Sequence, residues 1–249
     1  MVVEPCYSPA MTKEFTAEAA ELTEVCRALF GDESRWITAN GYPNSLALCI
    51  IDSLWSTGPT YQSVQNVVSN YRAYRAAKGG KASIDGTKEL LETFDGVEGS
   101  VGFAGIVKNR KPAHTRKGAL LKAEVVHQAA GALEKIKIFT MADVRAEYAR
   151  DEDLTRIEET WLDLPSQSSG VTFNYFVILA GYQSVKPDRM IYRFIEEHTG
   201  LTSRQIGTKQ AKELIRQVAD AYPTQARKLD HIIWRHVSGR DIFRADELS

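Results

Sequence analysis

The residue best placed to do chemistry is Asp188, which follows Lys186-Pro187 at the end of the stretch LPSQSSGVTFNYFVILAGYQSVKPD. Asp188 stands where an amphipathic helix begins: Ile191, Phe194, Ile195 and His198 share one face, so the aspartate falls at the N-cap. A carboxylate there stays ionised, because the positive end of the helix dipole favours the charged form. Its ordinary use is to satisfy free N–H groups, and its other use is to face a developing cation. One helix upstream, Leu164-Pro165 ends a helix, and Ser166-Gln167-Ser168-Ser169-Gly170 turns the chain into the next, which opens at Val171. The free N–H groups at that helix start form an anion site suited to a phosphate. A third feature is KNRKPAHTRKGALLK, an acid-free run carrying Lys108, Arg110, Lys111, Arg116, Lys117 and Lys122. Such a run either contacts a phosphate backbone or is a solvated face.

These residues must be positioned by helices, because the apolar pattern is helical almost throughout. TAEAAELTEVCRALFG places Ala19, Leu22, Val25, Cys26 and Leu29 at helical spacing, with Thr16 as cap and Gly31 as stop. NSLALCIIDSLW is apolar apart from Asp52 and Ser53 and reads as a buried helix; SVQNVVSNYRAYRAAKGG is a further helix ending at a glycine pair. TKELLETF is expected to be a short helix, GVEGSVG a loop, and KGALLKAEVVHQAAGALEKI a return to helix. Near the end, TKQAKELIRQVADAY stops at Pro223, and TQARKLDHIIWRHVSG runs from a Thr224 cap to Gly239. No useful period-2 alternation occurs, so the expected fold class is all-α, in three stretches: residues 1–46, packing with the C-terminal lobe; a central helical domain over 47–165; and 166–249 with the second hairpin helix, Asp188 and the last helices.

Composition removes several function classes. With 249 residues, 43% hydrophobic and 25% charged, the chain can bury one sizeable core or two small lobes. No basic leader with an apolar run opens it and no stretch approaches a membrane span, so a soluble, cytoplasmic protein without a membrane partner is expected. Cys6, Cys26 and Cys49 are odd in number and widely spaced, which suggests neither a disulfide framework nor a thiolate metal site. His231 and His236, five apart, face different sides of a helix, so no metal and no cofactor is expected. A net charge of −1 gives no global pull on polyanions, and any nucleic-acid contact must be local.

The leucine-proline hairpin, the apolar helix, the short link through Val185 and Pro187, and Asp188 followed by an amphipathic helix with Arg193-Phe194 resemble the helix–hairpin–helix DNA glycosylases, the superfamily of endonuclease III, MutY and AlkA. LLKAEVVHQAAGAL and CIIDSLWSTGPTYQSV resemble two upstream helices of that family, and the likeness spans about residues 45–240. Ser166 and Ser168 stand where the family hairpin has glycines, so positive φ is not expected there. Gly170 stands where bifunctional members carry a Schiff-base lysine, and Gly58 where the family has a wedge glutamine. No four-cysteine cluster follows the last helix, so no iron–sulfur cluster is expected.

The resemblance implies a two-lobed helical fold and cleavage of an N-glycosidic bond. A carboxylate near C1′ offsets the sugar cation and activates water, a role that falls to Asp188. A base in a duplex must be flipped into a pocket, for which Trp55, Ser56, Gly58, Tyr61 and Tyr175 are candidates. Their other reading is core packing. Ser166, Gln167, Ser168, Ser169, Gly170, Val171 and Arg189, with the basic run, would hold double-stranded DNA, the protein acting as a monomer. Two other readings stay open: a non-catalytic, lesion-sensing DNA binder of the same fold, and an all-α interaction protein unrelated to DNA.

Overall fold

The computed structural model describes residues 15–38, 40–58 and 60–244; Cys6 and the first fourteen positions lie outside them. The described residues form twelve α-helices and two short 3-10 turns. No strand occurs among them, only two isolated bridges, Trp36 with Phe243 and Pro112 with Leu121. The fold is all-α. The chain divides into two compact units, one over Thr38–Asp188 and a smaller one assembled from the described parts of Met1–Ile37 and Arg189–Ser249.

In chain order, α1 (Thr16–Phe30) belongs to the smaller unit. The larger unit holds α2 (Leu46–Trp55), α3 (Tyr61–Ala77), α4 (Thr87–Asp95), α5 (Gly99–Ile106), α6 (Lys122–Lys135), α7 (Met141–Arg150), α8 (Thr155–Leu162) and α9 (Val171–Leu179). α10 (Arg189–Thr199), α11 (Thr208–Ala221) and α12 (Ala226–Val237) return to the smaller unit. Within it α1 packs on α10 and α11, and Phe30 stacks on Phe194 with ring centroids 6.0 Å apart.

The larger unit is built around α2, all ten residues of which are buried. Helix-all-round hydrophobicity demands neighbours on every side, and α3, α4, α6 and α9 supply them. The Ser45 hydroxyl caps α2 by accepting from the Leu48 N–H at 3.2 Å. Beside it the buried Asp85 carboxylate accepts from the Tyr71 hydroxyl at 2.8 Å and from Arg75 at 2.6 and 3.1 Å. A buried charge is tolerable when its oxygens are this fully paired.

Several expectations about elements are corrected. GVEGSVG does not stay a loop: α5 starts at Gly99, because burial of Phe103 against Phe94, with ring centroids 4.1 Å apart, outweighs glycine's poor helix propensity. α6 begins only at Lys122, the preceding residues being held in the turn closed by the Pro112–Leu121 bridge. Phe15, not Thr16, sits at the N-cap of α1, and Gln225, not Thr224, at that of α12; the Thr224 hydroxyl bonds the Glu33 carboxylate instead. The unit boundaries fall at Ile37/Thr38 and Asp188/Arg189 rather than after 46 and 165, since α9 packs on α2 and α8.

Candidate functional site

The connection from α8 to α9 is a chain of backbone turns: Gln167 N–H donates to the Leu164 carbonyl and Gly170 N–H to the Gln167 carbonyl, each at 3.0 Å. Gly170 has φ +72° at the N-cap of α9, which no side chain caps, so the first-turn N–H groups of Val171 and its neighbours are left for another acceptor. Ser166 takes φ +68° although it is not a glycine, against expectation. The turn therefore keeps the left-handed conformation and bears its strain, while Ser168 does not adopt it. Ser166, Ser168 and Ser169 are exposed and Val171 half-buried. Among the hairpin residues expected to touch DNA, Gln167 and Gly170 are buried, and Gln167 is held there by its side chain. The Gln167 amide donates to the Pro165 carbonyl at 2.9 Å and accepts from the Thr172 hydroxyl at 2.6 Å, so it pins the turn from within.

After α9 the link to Asp188 is tied back by the Ser184 hydroxyl, which donates to Asn174 Oδ1 at 2.8 Å, and by the fully buried Val185. This delivers Lys186. Its Nζ stands 3.6 Å from Asp188 Oδ2, 3.2 Å from Ser56 Oγ, and 4.1 Å from the centroid of the Tyr175 ring, which it overlies. The Asp188 N–H closes a tight turn onto the Lys186 carbonyl at 2.7 Å. The Asp188 side chain retains about a fifth of its exposure and that of Lys186 about a tenth.

A second carboxylate joins the cluster from α2. Asp52 Oδ2 accepts from the Tyr42 hydroxyl at 2.7 Å, and the Tyr175 side chain also bonds Asp52. Burial pushes the Asp52 carboxyl above the usual carboxylate range, against the opposing pull of Tyr42, Lys186 and Tyr175. Burial and then the charge of Asp52 push the Tyr42 hydroxyl far above an ordinary phenol. Chemically the cluster offers an ionisable carboxylate with access to water and a primary amine within reach of it.

The aromatic candidates fare differently. Trp55 is wholly buried and packs against Phe103, so it belongs to the core rather than to an open pocket; its indole N–H has no hydrogen-bond partner among the described residues. The Tyr175 face covered by Lys186 is not free to stack a base. Tyr61 is exposed at the start of α3, Gly58 is exposed with φ +80°, and Ser56 is half-buried, its hydroxyl donating to the Ser53 carbonyl.

The basic run separates into two groups. Lys111, Arg116 and Lys117 are exposed on the turn closed by the Ala113–Leu120 and Lys122–Lys111 backbone bonds, and Lys108 and Arg110 are exposed just before it. Lys122 is not a surface cation: it is 3% exposed, and its Nζ donates to the carbonyls of Leu54, Trp55 and Thr57 at the C-terminal end of α2. Negative partial charge at a helix C-terminus draws an amine inward. Arg189 is exposed as the first residue of α10, in the smaller unit.

Lys186, Asp52 and Tyr42 were not among the residues expected from sequence to form a site. The signals were present: Asp52 is the lone acid in an otherwise apolar helix, and Lys186 lies two positions before Asp188. A family model described as Domain of unknown function (DUF8548) matches residues 20–238. The chain belongs to that family. No curated protein and no solved structure matches it.

Proposed function

We propose that this protein is a monofunctional DNA N-glycosylase of the helix–hairpin–helix kind, removing a modified or damaged base by hydrolysis and leaving an abasic site. The observation that carries the reading is the continuity from a left-handed hairpin, through the uncapped start of α9, to a water-accessible Asp188 one helix later. In this reading the hairpin N–H groups and the exposed basic turn hold the phosphates of double-stranded DNA, and the protein acts as a monomer in the cytoplasm without a cofactor. Asp188 offsets the positive charge that develops on the sugar as the glycosidic bond breaks, and it accepts a proton from the attacking water.

The test is Asp188→Asn, which keeps shape and hydrogen-bonding capacity but removes the charge. The variant should fold and bind duplex DNA as wild type does, while base release, read as alkali-dependent strand breaks in a panel of modified genomic DNAs, falls on the order of a hundredfold or more. With glycine at position 170 and the Lys186 ammonium paired with Asp188 at 3.6 Å rather than free as a nucleophile, the product strand should stay intact before alkali, and borohydride should trap no adduct. Release at the wild-type rate by Asp188→Asn would leave Asp188 as a structural residue only.

A further inference from the structure

We propose that Lys186 is the leaving-group donor of this site and makes it selective for an uncharged base that departs as an anion, against bases already made cationic by alkylation; this rests on the glycosylase reading above. If Asp188 faces C1′, the base is bonded directly to the atom the carboxylate faces, and the Lys186 ammonium lies 3.6 Å from that carboxylate. The atoms adjoining the glycosidic nitrogen then fall within reach of Nζ. A pyrimidine, with its O2 carbonyl beside that nitrogen, is the fitting case.

Two features hold the ammonium in place rather than leaving it to swing into solvent. Its side chain is mostly buried, and it is fixed between the Ser56 hydroxyl at 3.2 Å and the Tyr175 face at 4.1 Å. That aromatic face is the surface on which a cationic base would be held. Here the protein's own cation occupies it, so an N-alkylated purine meets repulsion where it would need attraction.

The chemistry closes. The C1′–N bond breaks and its electron pair leaves with the base, while a water oxygen bonds to C1′ and passes a proton to Asp188. The departing base, now anionic, takes a proton from the Lys186 ammonium, and Asp188 returns its proton to the Lys186 amine. Because the negative charge on the base appears only as the bond breaks, the Lys186 hydrogen bond strengthens in the transition state and accelerates the step.

The experiment uses the full chain in single-turnover reactions on duplexes carrying 5-fluorouracil, uracil, 5-methyluracil or 7-methylguanine. These uracils differ in the acidity of the departing nitrogen. Wild type should release the uracils with a shallow dependence on that acidity, and 7-methylguanine at least about tenfold more slowly. Lys186→Gln should slow release of every uracil, on the order of tenfold for 5-fluorouracil and a hundredfold for 5-methyluracil, without slowing 7-methylguanine. Lys186→Arg should restore part of the shallow dependence, and binding to a duplex with a tetrahydrofuran abasic analogue should be unchanged in both variants. Release confined to 7-methylguanine would overturn the inference and leave the glycosylase reading standing. An equal loss on all three uracils would also overturn it, since a structural role ignores leaving-group acidity. No release from these duplexes or from any modified genomic DNA would overturn both.

Discussion

Lys122 brings three N–H donors to a point where four oxygens converge, the carbonyls of Leu54, Trp55 and Thr57 at 3.2, 3.1 and 2.6 Å and the Thr57 hydroxyl at 2.7 Å. Burial, and then the charges of Lys111 and Lys186, lower its pKa from 10.5 to about 7. In the unfolded chain the amine keeps its ordinary value. Between about 7 and 10.5, therefore, the unfolded chain holds a proton that the native chain has released, and native stability rises with pH across that window. Buried thiols and phenols act oppositely at alkaline pH, so the clean measurement is a difference. In guanidinium unfolding, wild type should gain on Lys122→Met as pH rises from about 7 to 10.5, and a pH-independent gap would show that the buried amine keeps its proton. Charge alone assigned this lysine to the surface, because nothing local reveals that a residue 68 positions from Leu54 meets its carbonyl. Asp188 was legible because its position relative to the hairpin is a matter of chain order. The Lys186 contacts with Ser56 and Tyr175 were not, since each depends on how α2, α9 and the following link pack.

At the scale of elements the contrast is between α9 and α5. The first was readable because Pro165, Gly170 and an apolar run mark its start. α5 was hidden by its glycines, yet Gly102 is required rather than tolerated: a Cβ there would lie 1.5 Å from the Val97 carbonyl oxygen. Gly102→Ala must move backbone and should cost on the order of 2 kcal/mol or more. At Gly105, in the same helix, a Cβ would meet nothing within 4 Å, so Gly105→Ala should instead stabilise by about 0.5–1 kcal/mol. Thermal unfolding of the two variants checks both signs; equal shifts would mean that the close approach of Gly102 to Val97 does not govern α5.

For the whole molecule, a net charge of −1 means that in the proposed glycosylase reading the exposed basic turn after α5 supplies the side-chain cations that meet DNA phosphates. Replacing Arg110, Lys111, Arg116 and Lys117 together with alanine should weaken binding to all duplex sequences alike. The slope of log affinity against log salt should become shallower by roughly 3 to 4 units, as four fewer phosphates are neutralised. An unchanged slope in a filter-binding titration would make the turn ordinary surface. The partition of the chain into units carries a different consequence, one of timing. The smaller unit draws α1 from before Thr38 and α10, α11 and α12 from after Asp188, with the whole larger unit between. During synthesis, at roughly 5–20 residues per second, about 150 residues separate α1 from its partners, a wait of roughly ten to thirty seconds. Leu22, Cys26 and Phe30, buried once the unit is complete, spend that interval without the helices that cover them. The nascent chain thus carries an uncovered apolar stripe for as long as the larger unit takes to emerge, and a chaperone that binds such stripes has its window there.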